Sequence, residues 1–121
     1  MENYTKFNSS SPADREQQFT KFIFEEFVAK DIPILILSRD SSEVTITKIL
    51  LEGNDEKDVQ ILSKAPIFVY TIQETCSQKA LKASLDDILE EKKIESVAIY
   101  GPISDTHLNV VKGNFRRVYH Y

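Results

Sequence analysis

Two short runs, Ile67-Phe68-Val69-Tyr70 and Val97-Ala98-Ile99-Tyr100, enclose a segment with helical spacing. That arrangement limits the fold more than any other feature of the chain. Both runs are rich in β-branched and aromatic residues, as strand interiors are. Between them, Ser77 to Lys93 carries Leu81, Leu85, Ile88 and Leu89 at i, i+4, i+7 and i+8, one face of a helix. Thr75 or Ser77 is placed to cap it. A strand, a helix with one apolar face and a second strand make two layers that cover each other.

A second helix is announced by Ser11-Pro12-Ala13-Asp14. Ser11 can accept from an open backbone N–H, Pro12 suits the first helical position, and Asp14 stands where a capping-box carboxylate belongs. The helix should run to about Lys30, with Phe19, Phe22, Ile23 and Phe27 on one face and Phe24 and Val28 widening it. So many phenylalanines either fill the core or supply an aromatic partner surface.

Ile32 to Leu37 is an unbroken apolar run that reads as a strand buried on both faces, with Pro33 at its start. After a turn at Ser38–Ser42, Val44 and Ile46 alternate with Thr45 and Thr47. This predicts a returning antiparallel strand to Leu51, with a bulge where Lys48 breaks the phase. Asn54 or Asp55 can cap a short helix reaching Ser63, with Val59 and Leu62 turned inward. Asp105 to Tyr121 reads as a closing strand or hairpin arm bent at Gly113-Asn114. Met1 to Ser11 is polar and reads as a flexible tail. The expectation is one α/β (α+β mixed) domain over residues 12–121. It has about five strands in a mixed sheet, with a long N-terminal helix and a central helix packed on it. Two helices on a single face would leave the other face bare and predict a homodimer or a partner.

At 121 residues the chain suits one domain. Its single cysteine cannot form an internal disulfide, which points to a reducing, cytoplasmic setting. No apolar run reaches the length of a membrane span, and the first residues lack the apolar core of a signal peptide. Three glycines, at 53, 101 and 113, cannot build a glycine-rich phosphate loop. The net charge of −4 argues against broad electrostatic binding of nucleic acid.

Few residues point to chemistry. Cys76 precedes the central helix, whose N-terminus would favour a thiolate. Strand, Cys, helix, strand resembles a fragment of the thioredoxin-like pattern, which would imply a thiol-dependent or redox role. A second Cys at CxxC spacing is missing, as is a proline after Pro102. Asp105-Thr106-His107 brings a carboxylate near an imidazole, with no nucleophile placed to use it. Cys76, His107 and His120 match no compact metal-ligand spacing, so no metal or cofactor is expected. Asp86, Asp87, Glu90 and Glu91 lie opposite the leucine stripe and should face water.

The one basic-aromatic cluster is C-terminal: Lys112, Phe115, Arg116, Arg117, Tyr119 and Tyr121. As a strand, it puts Phe115, Arg117, Tyr119 and Tyr121 on one face and Arg116, Val118 and His120 on the other. These features favour a non-enzymatic protein–protein interaction domain: an adaptor, assembly factor or small inhibitor or immunity-type protein. The expected contact residues are Phe19, Phe22, Phe27, Phe115, Arg116, Arg117, Tyr119 and Tyr121, meeting a protein partner or a second copy. The alternatives are a nucleic-acid-binding regulator using the C-terminal cluster and a thiol enzyme using Cys76.

Overall fold

The computed structural model describes residues 3–39, 41–52, 64–73 and 75–121. The expected short helix near Val59 and Leu62 lies outside them. The chain is an α/β domain whose five strands are β1 Tyr4–Lys6, β2 Ile34–Ser38, β3 Ile67–Thr71, β4 Ser96–Ile99 and β5 Arg117–His120. They form one sheet in the order β1-β5-β4-β2-β3. Every pairing is parallel, so the expected mixed sheet is corrected.

The reason lies in two segments that the alternation of side chains misrepresents. Glu43–Glu52 is helix α2, not a returning strand. Ser42 starts it: the Thr45 N–H donates to Ser42 Oγ at 3.2 Å and the Ile46 N–H to the Ser42 carbonyl at 3.0 Å. Ile46 and Leu50, one turn apart, are its buried pair. Burying that pair against the sheet outweighs the weak strand preference of Val44, Thr45, Ile46 and Thr47. With a helix there, β2 and β3 run the same way. Asp105–Asn114 is likewise a helix, here α4, capped by Ser104 and burying His107 and Val111. Only the last part of the expected C-terminal strand remains extended, as β5.

The other two helices follow the sequence closely. Helix α1, Pro12–Ile23, has Ser11 as N-cap, which accepts from the Asp14 N–H. Asp14 closes the box one residue early, its carboxylate accepting from the Ser10 N–H at 3.1 Å. The helix continues as a π-helical turn over Phe24–Val28. Helix α3, Gln78–Lys92, has Ser77 as N-cap and buries Leu81 and Leu85. Asp86, Asp87, Glu90 and Glu91 are exposed, as their spacing predicts.

β2 is buried at all five residues, and its alternate side chains feed two cores. Ile34 and Ile36 pack with Phe19, Ile23, Phe27, Ile46 and Leu50 on the α1/α2 side. Leu35 and Leu37 pack with Leu81, Leu85, Val97, Val111 and Phe115 on the α3/α4 side. Neither face is bare, as an all-parallel sheet requires. The N-terminal residues also differ from a free tail. Tyr4–Lys6 adds an edge strand beside β5, where Tyr4 pairs with Val118.

Candidate partner-binding site

All strands point one way, so the sheet has an amino end and a carboxyl end. The C-terminal end of α1 passes over the amino ends of β4 and β5. There Phe22, Phe27, Ile32, Arg117 and Tyr119 surround a depression of about 240 Å³, with Glu26, Lys30 and Ser96 on its rim. The π turn sets its shape. The Ala29 N–H reaches the Phe24 carbonyl at 2.8 Å, and the Ile32 N–H reaches the Phe27 carbonyl at 2.9 Å. The wider turn swings Phe27 into the core and leaves Ile32 39% exposed. Extra residues in a helical turn of this kind are common at functional sites.

The floor is aromatic. Phe22 lies 4.9 Å from Tyr119 and 5.7 Å from Phe27, measured between ring centroids. Phe27 and Tyr119 meet edge-on at 6.1 Å. Phe22 and Tyr119 are half-buried, so part of each ring remains open to a partner. Lys30 is paired with Glu26 at 3.0 Å. Arg117 is exposed and, among the described residues, has no ion-pair partner.

The expected contact residues therefore divide. Phe22, Arg117 and Tyr119 come together at this depression from segments nearly a whole chain apart, with Phe27 beneath them. Phe19, Phe115 and Tyr121 are buried in the cores, and what Tyr121 leaves open faces the other end of the sheet. Phe115 lies on the α3/α4 side, because it precedes β5 and escapes the alternation. Arg116 pairs with Glu95 at 3.7 Å, and Lys112 lies 5.1 Å from the Tyr4 ring. The C-terminal basic-aromatic cluster is thus dispersed over two faces. Ile32, Glu26 and Lys30 were not singled out in the sequence. Their only signal there is the i,i+4 spacing of Glu26 and Lys30.

The candidate chemistry elsewhere is differently arranged from its sequence expectation. Cys76 lies just before the Ser77 cap, half-buried, its thiol donating to the Ser77 carbonyl at 3.5 Å. His107 turns inward and its Nε2–H donates to the Cys76 carbonyl at 2.6 Å, while Nδ1 is buried with no partner. Asp105 is exposed in the first turn of α4, and no hydrogen bond joins it to His107. Among the described residues no group of three His, Cys, Asp or Glu side chains is placed to hold a metal ion, and no helix is long and apolar enough to cross a membrane. No protein-family model matches the chain, and no curated protein matches it.

Proposed function

We propose that this chain is a non-enzymatic protein-interaction domain working in the reducing cytoplasm. Its amino-end depression receives a large apolar side chain of a partner protein, carried next to an Asp or Glu. The observation that carries this reading is the meeting of two half-open rings, Phe22 and Tyr119, with exposed Ile32 and with Arg117, which has no ion-pair partner among the described residues. Aromatic residues and arginine dominate binding energy at protein interfaces, where a ring supplies area and a guanidinium donates bidentately to a carboxylate. Lys30 is paired with Glu26, whereas Arg117 has no counter-charge among the described residues, so charge complementarity favours an acidic partner segment.

A random peptide library panned on the immobilised protein tests the proposal. The expected result is enrichment of sequences with Phe, Trp, Leu or Ile beside Asp or Glu, and loss of their binding on Arg117→Glu. Unenriched output, or selected peptides that bind Arg117→Glu equally well, would overturn it. Light scattering across a concentration series separates a foreign partner from a second copy of the chain.

A further inference from the structure

A second opening lies at the carboxyl end of the sheet, where α/β proteins hold their ligands. It has a volume of about 500 Å³, within the usual range for a small-molecule site. β1 contributes Lys6, α1 contributes Arg15 from its first turn, β5 contributes His120, and Gly101 follows β4. Two cations line the opening and, among the described residues, no side-chain carboxylate does. Lys6 is exposed and, among the described residues, has no ion-pair partner. Two acids flank Arg15 on the same helix: Asp14 is already used by Ser10 and Gln18, and Glu16, whose charge also bears on the Tyr100 hydroxyl, is exposed and does not line the opening.

Arg15 lies with its guanidinium carbon 5.1 Å from the centroid of the Tyr100 ring, which holds the fork at the wall of the opening. The guanidinium also meets the Tyr100 hydroxyl, but its Nε is buried and makes no hydrogen bond among the described residues. An unmet buried donor on a charged group is costly unless something accepts from it. His120 cannot be that acceptor. Its Nε2–H donates to the Gly101 carbonyl at 2.6 Å, and Nδ1 accepts from the Tyr4 hydroxyl at 2.7 Å. Lys6 and Arg15 both line the opening, and both add to the positive field that disfavours charging this imidazole.

We infer that this opening binds a small phosphorylated molecule, with the phosphoryl group between Lys6 and Arg15. Two cations, one with a planar donor fork, match a group carrying about −1.5 to −2 charges better than a singly charged carboxylate. The site is at the opposite end of the sheet from the proposed protein contact and does not depend on it.

The test is an amide NMR titration with inorganic phosphate and with phenyl phosphate, at constant ionic strength, using benzoate as the carboxylate arm. Saturable shifts should appear at Lys6, Asn8 and Gly101 with both phosphate probes and be absent with benzoate. Lys6→Gln and Arg15→Gln should each weaken binding at least about tenfold, the effect of losing one charge-assisted hydrogen bond, and Arg117→Glu should leave it unchanged. No saturable shift with either phosphate probe would overturn the inference. So would benzoate binding equal to that of phenyl phosphate, or unchanged affinity in Lys6→Gln. Lys6 is exposed, so that variant reads out even if Arg15→Gln disturbs the fold.

Discussion

The two ends of this sheet are built from the same strands and helix but offer different surfaces. At the amino end, α1 arrives as a widened π turn and leaves two rings and Ile32 partly uncovered beside one arginine. At the carboxyl end, α1 begins, and its first turn sets Arg15 opposite Lys6 over a larger, more polar opening. Between them runs a continuous line of rings. Phe22 lies 5.5 Å from Tyr121, Tyr121 lies 5.8 Å from Phe19, and Phe19 lies 4.7 Å from Tyr100, on which Arg15 rests. One helix thus positions both ends, and their difference comes from how it starts and how it stops.

The largest effect should come from breaking what the ends share. Phe19 is fully buried between Tyr100 and Tyr121. Phe19→Ala should cost about 3–5 kcal/mol, the usual range for a deleted core phenylalanine. Urea denaturation should show the loss, and both peptide and phosphate binding should fall together. If Phe19→Ala abolished one and spared the other, the ring line would not be their common support.

Separating the ends is the next test. Arg117→Glu should reduce capture of acidic-aromatic peptides by at least about tenfold, while changing stability by no more than about 0.5 kcal/mol because the side chain is exposed. Lys6→Gln should do the reverse, sparing the peptides. A surface charge change that altered both binding events equally would mean the two ends report one site.

How much of this contrast could be read from the sequence depends on distance along the chain. The starts and faces of α1 and α3 were legible because they are local: Ser11 and Ser77 cap within three residues, and Leu81 and Leu85 lie one turn apart. β2 was legible because a strand buried on both faces is apolar at nearly every position. α2 and α4 were not. Val44-Thr45-Ile46-Thr47 alternates as a strand would, and Leu108 and Val110 do the same, yet the pairs that decide are Ile46 with Leu50 and His107 with Val111. Taking Val44 to Leu51 as a returning strand puts an antiparallel pair into the sheet, which hides that all the strands run parallel. β1 has no apolar run at all. It becomes a strand because β5, at the far end of the chain, offers an open edge. The same limit applies to the sites. Phe22 and Tyr119 each stood out, but their contact is a property of the folded chain.

A smaller effect sharpens the carboxyl end alone. Ser11 accepts from the Asp14 N–H at 3.1 Å and fixes the turn that carries Arg15. Ser11→Ala should cost about 1 kcal/mol, as the loss of an N-cap hydrogen bond typically does. It should weaken phosphate binding more than peptide binding, since the π turn lies at the other end of the helix. Equal weakening would show that α1 responds as a rigid rod.

The smallest effect is a titration. His120 is buried, which together with the nearby Lys6 and Arg15 holds its pKa below the ordinary 6.5, although its bond to the Gly101 carbonyl pulls the other way. When pH falls below about 6.5, the unfolded chain takes up a proton at this histidine before the folded chain does. The unfolded state then binds more protons, so stability must decline with falling pH until the folded imidazole also charges. The decline belongs to the carboxyl end, because His120 ties the Tyr4 hydroxyl of β1 to Gly101 after β4. His120→Gln keeps a donor and an acceptor without a titrating group, and it should remove this part of the acid dependence in denaturant melts at stepped pH. Amide protection factors at Tyr4 to Lys6, corrected for the intrinsic pH dependence of exchange, should fall with acid in the parent chain and stay level in His120→Gln, while amides at the amino-end depression keep their protection in both. A slope unchanged by the substitution would place the acid sensitivity in the exposed carboxylates instead, and would remove His120 from the account of how β1 is held.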